Sequence, residues 1–126
     1  MRAYVQGISG TRSAILGCFI NGWLRGAAEL RSQEADWGAE AEIAFSVERA
    51  WQGRGIGTAL GALLVDHARS NGITRLQATT LPENGPARKL LGRMGFAVCG
   101  IADGVLEVDL DLAAAAERDA ARRRAA

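Results

Sequence analysis

A short glycine-rich segment constrains this sequence more than any other feature. The segment is Gln-Gly-Arg-Gly-Ile-Gly at positions 52–57, and it separates two stretches with different periodicity. Residues 39–47 before it alternate between apolar and polar side chains, as in a half-buried strand. Side chains after it recur at helical spacing until Asn71-Gly72 supplies a left-handed stop; they are Ile56, Leu60, Leu63, Leu64 and His67. The pattern therefore predicts a strand, a glycine loop and a helix in succession.

Other apolar segments are joined in pairs by dipeptides that favour two-residue β-hairpin turns. The pairs are 13–20 and 23–30 on either side of Asn21-Gly22, and 96–101 and 105–112 joined through Asp103-Gly104. Each pair predicts two antiparallel strands. The polar segment 31–38, which follows the first pair, breaks the strand pattern.

Residues 73–80, which follow the first helix, are predicted to form a strand. A strand-helix-strand unit of this length normally closes a right-handed crossover between parallel strands. A second helix is predicted from Pro86 to its stop at Gly95. The predicted fold is α/β (α+β), a mixed and mostly antiparallel sheet with a central parallel strand-helix-strand unit and flanking helices. Residues 113–126, rich in alanine and arginine, form either a helical extension or a frayed tail.

Composition limits the partners of the chain. Its 126 residues, 48% of them hydrophobic, suffice for one compact domain with a real core. The formal charge is only +1, and the arginines at 118–124 lie beside Glu117 and Asp119, which makes a weak basic patch. No apolar stretch approaches the roughly 18 residues that span a bilayer, and the start lacks the apolar region of a secretion signal. We therefore expect a cytoplasmic protein with no nucleic-acid partner, no membrane partner and no metal.

The glycine-rich loop favours an anion as its ligand. Glycines between a strand and a helix let backbone N–H groups turn toward one point, and the start of the helix adds positive potential. A nucleoside-triphosphate loop would need Gly-x-x-x-x-Gly-Lys followed by Ser or Thr, but the only lysine is Lys89. A dinucleotide pattern Gly-x-Gly-x-x-Gly would end on Leu60 or on Thr58, depending on the first glycine. Another phosphate-containing ligand is therefore expected.

Two sequence blocks identify a family resemblance. The pattern Gln/Arg-x-x-Gly-x-Gly is met by Gln52, Gly55 and Gly57. A second block, Leu-Pro-Glu-Asn-Gly-Pro-Ala-Arg-Lys-Leu-Leu-Gly-Arg-Met-Gly-Phe, follows at positions 81–96. With both blocks in order, the chain resembles the GNAT superfamily of N-acetyltransferases over about residues 14–110. The segment Ala-Glu-Ile-Ala-Phe-Ser-Val before the loop is most similar to the acetyltransferase domain of bacterial protein-lysine acetyltransferases.

The resemblance implies a GNAT-like acetyltransferase domain over residues 1–112 and a C-terminal extension over residues 113–126. Family members usually have a strand and two helices before the first hairpin, whereas only residues 1–12 precede it here. Much of the wall that receives the acceptor is therefore expected to be absent. A homodimer is predicted to supply it; the alternatives are an open acceptor groove and a larger system that includes this chain.

The resemblance also implies acetyl-CoA as the acyl donor. In the family, loop amides hold its pyrophosphate, and the pantetheine arm inserts where the strand before the loop separates from its parallel neighbour. The residues that would bind it are Gln52, Gly53, Arg54, Gly55, Ile56, Gly57 and Thr58 in the loop, Phe45, Ser46 and Val47 on the strand, and Asn84 and Arg88 in the second block.

The implied reaction is direct attack of a primary amine, from a protein lysine or a small molecule, on the thioester. It needs a neutral amine, a donor to the carbonyl oxygen and a proton for the thiolate. In similar lysine acetyltransferases a glutamate in this context is the base, which assigns the role to Glu42, with Glu40 as runner-up, while an amide near Val47 would polarise the carbonyl. Leu91 stands where many members have a tyrosine acid. Water or the substrate ammonium then protonates the thiolate, or the chain is a catalytically weak acetyl-CoA-binding regulatory module.

Overall fold

The computed structural model describes residues 2–8, 11–32 and 37–125. A short 3-10 turn at Arg49–Trp51 precedes the glycine loop. The strands and α-helices of the described residues are β1 (Arg2–Ile8), β2 (Thr11–Ile20), β3 (Trp23–Ser32), β4 (Glu40–Val47), α1 (Ile56–Ser70), β5 (Arg75–Thr80), α2 (Gly85–Met94), β6 (Ala97–Ala102), β7 (Val105–Asp111) and α3 (Leu112–Ala125). The predicted order of strand, glycine loop and helix is confirmed.

The strands form one sheet in the order β1-β2-β3-β4-β5-β7-β6. Only the β4–β5 pair of this sheet is parallel, and the other neighbours are antiparallel. The predicted mixed sheet is therefore confirmed. In the two predicted hairpin turns, φ is 53° at Asn21 and 82° at Gly22, and 52° at Asp103 and 75° at Gly104. Positive φ at both central residues is the geometry of the type I′ turn that these dipeptides favour.

The first strand is a feature that the sequence analysis did not predict. β1 pairs with β2 from Arg2↔Gly17 to Ile8↔Thr11, and the residues of β1 itself carried no predicted element. The dipeptide Ser9-Gly10 between the two strands is a turn signal that predicts such a hairpin. Positions 33–36 of the predicted break lie outside the described residues.

The C-terminal segment is a helix, which decides between the two alternatives left open by its sequence. The Oδ1 atom of Asp111 accepts a hydrogen bond from the backbone N–H of Ala114 at 3.0 Å, so Asp111 caps α3. Leu112, the first residue of α3, is buried in the core. Capping and one buried anchor attach the start of α3 to the sheet.

The core lies between one face of the sheet and α1. The buried stripe of α1 contains Ile56, Leu60, Leu64 and Ala68. Leu63, which the periodicity placed in this stripe, is 44% exposed. Leu63 lies at one edge of the stripe and Gly61 at the other, where Met94 Sδ of α2 lies 3.0 Å from a Cβ built on Gly61. Since α2 covers only the Gly61 edge, Leu63 remains at the surface.

β4 presents different side chains on its two faces, as predicted. Ala41 and Ile43 are buried on the face toward α1, while Glu40 and Glu42 are exposed on the opposite face. The strand therefore separates the apolar core from the two candidate carboxylates.

Gly26 of β3 determines how closely α1 approaches the sheet. A Cβ at this position would lie 2.8 Å from Ile56 Cγ2 and 3.3 Å from the carbonyl oxygen of Ser46. We expect Gly26→Ala to lower the free energy of unfolding by about 1–3 kcal/mol, because the first turn of α1 would have to shift. Urea denaturation of the purified variant measures this change.

The matched control is Gly92→Ala, the same chemical change in α2. No atom lies within 4 Å of the Cβ position of Gly92. Alanine should therefore raise the free energy of unfolding by about 0.5–1 kcal/mol through helix propensity. If Gly26→Ala were as stable as the wild type, the close contact between β3 and Ile56 would be refuted.

Candidate active site

The parallel strands β4 and β5 separate after a short paired region. Their register runs from Glu40↔Arg75 to Glu42↔Gln77 and stops there. β4 continues to Val47 and β5 to Thr80 without further pairing between them. The backbone of β4 from 43 to 47 therefore has unpaired polar groups on its β5 side, and these groups are available to a ligand.

A groove of about 980 Å³, called here the main groove, occupies this separation. Residues from β4, the glycine loop, the end of β5 and α2 line it. They are Ile43, Ala44, Phe45, Val47, Trp51, Gln52, Gly53, Gly55, Ile56, Gly57, Thr58, Ala78, Thr79, Thr80, Leu81, Asn84, Gly85, Pro86, Ala87, Lys89, Leu90, Leu91, Arg93 and Val105. Its volume lies in the range of small-molecule and cofactor sites.

The glycine loop presents unpaired backbone donors to the main groove. Within the described residues, the amides from Gly53 to Thr58 donate to no protein acceptor. Gly55, with φ of 84°, is the N-cap of α1 and has no side chain to satisfy the first amides. Gln52 Nε2 donates to the Val47 carbonyl at 3.1 Å, which connects the loop to the end of β4. Free amides and a helix N-terminus make this loop suited to an anion.

A second helix begins at the same groove. Asn84 is the N-cap of α2, and its Oδ1 accepts a hydrogen bond from the Ala87 N–H at 3.2 Å. The two helices touch closely, since a Cβ on Gly57 would lie 3.0 Å from Leu90 Cδ2. The N-terminal ends of α1 and α2 therefore both border the groove, and their dipoles add positive potential there.

All charged side chains that line the main groove are positive. Lys89 and Arg93 line it, and none of its lining residues is aspartate or glutamate. Within the described residues, neither cation has a hydrogen bond or an ion pair with another side chain. The groove is therefore electrostatically matched to a polyanion.

Several predicted cofactor residues come together at the main groove. Those that line it are Phe45, Val47, Gln52, Gly53, Gly55, Ile56, Gly57, Thr58 and Asn84. Ser46 is exposed on the other face of β4 and does not line it. Arg88 does not line it either, and its Nη1 donates to the Pro82 carbonyl at 3.1 Å. The roles of these residues in binding stay predictions.

Arg54, also predicted to bind the cofactor, does not line the main groove and stacks on the ring of Trp51. Its Cζ lies 4.5 Å from the centroid of Trp51, and the Cζ of Arg25 lies 4.8 Å from the same centroid. Arg25 is also paired with Glu48 at 2.8 Å. Cation–π contacts of this kind are worth about 0.5–1 kcal/mol at exposed sites. They hold the Arg54 side chain beside Trp51, which itself lines the groove.

Glu42 occupies the last paired position of β4, opposite Gln77 of β5. It lines a smaller groove of about 370 Å³, called here the side groove, together with Glu40 and Gln77. The next residue, Ile43, lines the main groove. Consecutive residues of β4, at positions 42 and 43, therefore line the two grooves at the point where β4 and β5 begin to separate.

The carboxylate of Glu42 is free of partners within the described residues. Arg31 is its cross-strand neighbour on β3. The guanidinium of Arg31 donates instead to Glu29 Oε1, at 2.7 and 2.9 Å. Glu42 is exposed, so its carboxylate is accessible to a molecule that enters the side groove.

The sequence analysis missed several residues that line the main groove. Trp51, Thr79, Lys89 and Arg93 are examples. The signal that was available for the two cations is their spacing of four residues in α2, which places both on one helix face. Leu91, predicted to stand in place of an acid, is buried and lines the groove.

These features can be set beside known proteins. The family model described as the acetyltransferase (GNAT) family matches residues 3–96. The chain belongs to the GNAT acetyltransferase family. The matched region contains the glycine loop and the second sequence block, so the predicted family resemblance is confirmed. In GNAT terms, the main groove is the candidate site for the acyl donor.

Relatives of this GNAT chain agree with the family and the fold. Acetyltransferase Pat of Mycolicibacterium smegmatis is 36% identical over 72 residues, which are 57% of this chain and 22% of that protein. The GNAT domain of S. lividans PAT is 29% identical with a TM-score of 0.69, over 82% of this chain and 61% of that one. A putative acetyltransferase, yncA from Salmonella typhimurium with its cofactor acetyl-CoA, is 25% identical with a TM-score of 0.63. That match covers 82% of this chain and 65% of the other, so the GNAT chain spans less than two thirds of each relative.

None of the helices in the described part of the GNAT chain is long and apolar enough to cross a membrane. No group of three or more His, Cys, Asp or Glu side chains there is arranged to hold a metal ion.

Proposed function

We propose that the chain is an acetyl-CoA-dependent N-acetyltransferase that transfers acetyl to a primary amine, either a protein lysine or a small amine. The observation that carries the proposal is the run of unpaired amides from Gly53 to Thr58 at the mouth of the gap between β4 and β5. A ligand with a diphosphate requires hydrogen-bond donors for its anionic oxygens. If it also has an extended arm that contains amides, it requires an unpaired strand edge in the same groove.

In this proposal the donor lies along the main groove. Its diphosphate accepts hydrogen bonds from the loop amides, and the α1 dipole stabilises the negative charge. Its pantetheine amides pair with the free backbone of β4 near Phe45 and Val47, as an added strand would. The thioester then points toward positions 42 and 43, the consecutive residues that line the side groove and the main groove.

The acceptor amine enters from the side groove. Glu42 accepts a proton from the ammonium, through water, and leaves a neutral amine. The amine nitrogen attacks the carbonyl carbon; the C–N bond forms, the C–S bond breaks, and the electron pair leaves on sulfur. A backbone N–H near Val47 stabilises the carbonyl oxygen as it becomes negative. Leu91 has no proton to give. The attacking nitrogen, which is an ammonium in the tetrahedral intermediate, loses its second proton as the amide forms, and this proton passes directly or through water to the departing thiolate.

Ligand-induced thermal stabilisation tests the choice of donor. A ligand that binds only the folded form raises the melting temperature, by about 2.7 kcal/mol of added stability at 100 times its Kd. We expect coenzyme A and acetyl-CoA to raise the melting temperature, and ATP and NAD at the same concentration to leave it unchanged. An equal response to all of these nucleotides would show only a general phosphate site and would contradict the proposal.

A second candidate function is a catalytically weak acetyl-CoA-binding module that regulates a partner. The replacement of the usual acid by Leu91, which is buried against the groove, favours it. It predicts tight binding of acetyl-CoA with little thiol release in the presence of a panel of amines. The cytoplasmic location and the homodimer stay predictions. The Trp23 side chain is 67% exposed, and this supports the homodimer because large aromatic residues are enriched at interfaces.

A further inference from the structure

Coenzyme A carries one phosphate that the loop amides do not account for. Its diphosphate is matched by the donors between Gly53 and Thr58, but its ribose bears a separate phosphate monoester. Such a monoester carries about −1.5 to −2 charges near neutral pH. Taking that charge from water requires cationic hydrogen-bond donors in the groove.

Helix α2 supplies cations at the groove and no acid to neutralise them. Its sequence, Gly-Pro-Ala-Arg-Lys-Leu-Leu-Gly-Arg-Met, contains three basic residues and no acidic residue. Lys89 and Arg93 are four residues apart on one face, an arrangement of like charges that destabilises an isolated helix. An anion bound between the two side chains would remove this repulsion.

Other cations near the groove are engaged elsewhere. Arg25 is paired with Glu48, Arg54 stacks on Trp51, and Arg88 donates to the Pro82 carbonyl. Lys89 and Arg93 line the groove, and within the described residues they have no such partner. Leu90 and Met94, which follow the two cations in sequence, pack against Gly57 and Gly61 of α1, so Lys89 and Arg93 lie on the adjoining face of α2.

From this geometry we propose that Lys89 and Arg93 form a phosphate-monoester subsite that selects coenzyme A over dephospho-coenzyme A. The inference rests on the proposed function and adds the residues that recognise the ribose phosphate. Arg88, which precedes Lys89 in the chain, is not part of the subsite.

Titration calorimetry with coenzyme A and dephospho-coenzyme A tests the subsite. The wild type should bind coenzyme A at least about tenfold more tightly, since a charge-assisted hydrogen bond contributes about 1.5–3 kcal/mol. Lys89→Gln and Arg93→Gln should each reduce this ratio, and the double variant should bring it close to one. Affinity for dephospho-coenzyme A should stay within about twofold in all three, which also shows that the loop site remains folded.

Two further variants make the comparison specific. Arg69→Gln, at the far end of α1, removes one positive charge away from the groove and should leave the ratio unchanged. Arg88→Gln should also preserve it. The inference would be overturned if the wild type bound both ligands equally, if the double variant kept the preference, or if Arg88→Gln abolished it. If neither ligand bound to the wild type, the proposed function itself would have failed.

Discussion

Thr58→Asp should raise the stability of the free protein and abolish most of its affinity for coenzyme A. Thr58 is the third residue of α1, it lines the main groove, and its amide has no acceptor within the described residues. A carboxylate in the first turn interacts favourably with the helix dipole, by about 0.3–1 kcal/mol. The same carboxylate repels a diphosphate bound at that turn, by about 3 kcal/mol or more, so the affinity should fall at least about 100-fold.

The test is specific because stability should rise while affinity for coenzyme A falls. Thr58→Asn has nearly the shape of the aspartate variant without its charge, and it should lose less than about tenfold in affinity. Thermal melting without ligand and calorimetry with coenzyme A measure the two effects separately. A Thr58→Asp variant that binds coenzyme A as tightly as the wild type would place the diphosphate away from the start of α1.

Glu42→Gln should reduce turnover with the best amine acceptor by about 100-fold or more. A positioned general base contributes about 10²–10⁴-fold to such a reaction, and glutamine keeps the size of the side chain but cannot accept the proton. Affinity for coenzyme A should change by less than about threefold, because Glu42 does not line the main groove. Rates of thiol release at saturating acetyl-CoA, together with calorimetry, separate the two quantities.

Glu40→Gln decides between the two candidate bases, since Glu40 is exposed on the same face of β4. If it caused the large loss instead, the base would be Glu40. Asp66→Asn, on an exposed part of α1 away from both grooves, controls for the loss of one negative charge and should be without effect. Turnover that is low in the wild type and equal in Glu42→Gln would favour the acetyl-CoA-binding regulatory module.

The glycine loop illustrates what could be predicted from the sequence. Its anion-binding character follows from local backbone chemistry, since glycine at positions such as Gly55 allows the positive φ that turns amides outward. The hairpin turns at Asn21-Gly22 and Asp103-Gly104 are local in the same sense. Such features depend on neighbours within a few residues, and the structure has the expected positive φ at the turns and at Gly55, while binding of an anion by the loop stays a prediction.

The basic residues of α2 illustrate what could not be predicted. Arg88 was the basic residue of α2 predicted to bind the cofactor, and that role stays a prediction, whereas the basic residues of α2 that line the groove are Lys89 and Arg93. One residue along a helix changes the direction of a side chain by about 100°. Which face of α2 meets the groove is set by the contact of Leu90 with Gly57, a packing event between two segments far apart in sequence.

Predicting the surroundings of Glu42 requires both the local sequence pattern and the tertiary structure. Alternation along β4 predicted that Glu42 and Ile43 lie on opposite faces, and the burial of Ile43 agrees. That β4 and β5 part immediately after Glu42, so that Glu42 lines the side groove and Ile43 the main groove, is a property of strand register. The hairpin turns and the outward-facing amides of the glycine loop were thus determined by the sequence itself, because they arise from short-range backbone geometry. The faces that line each groove were decided only by the tertiary structure, because they depend on how distant helices and strands pack.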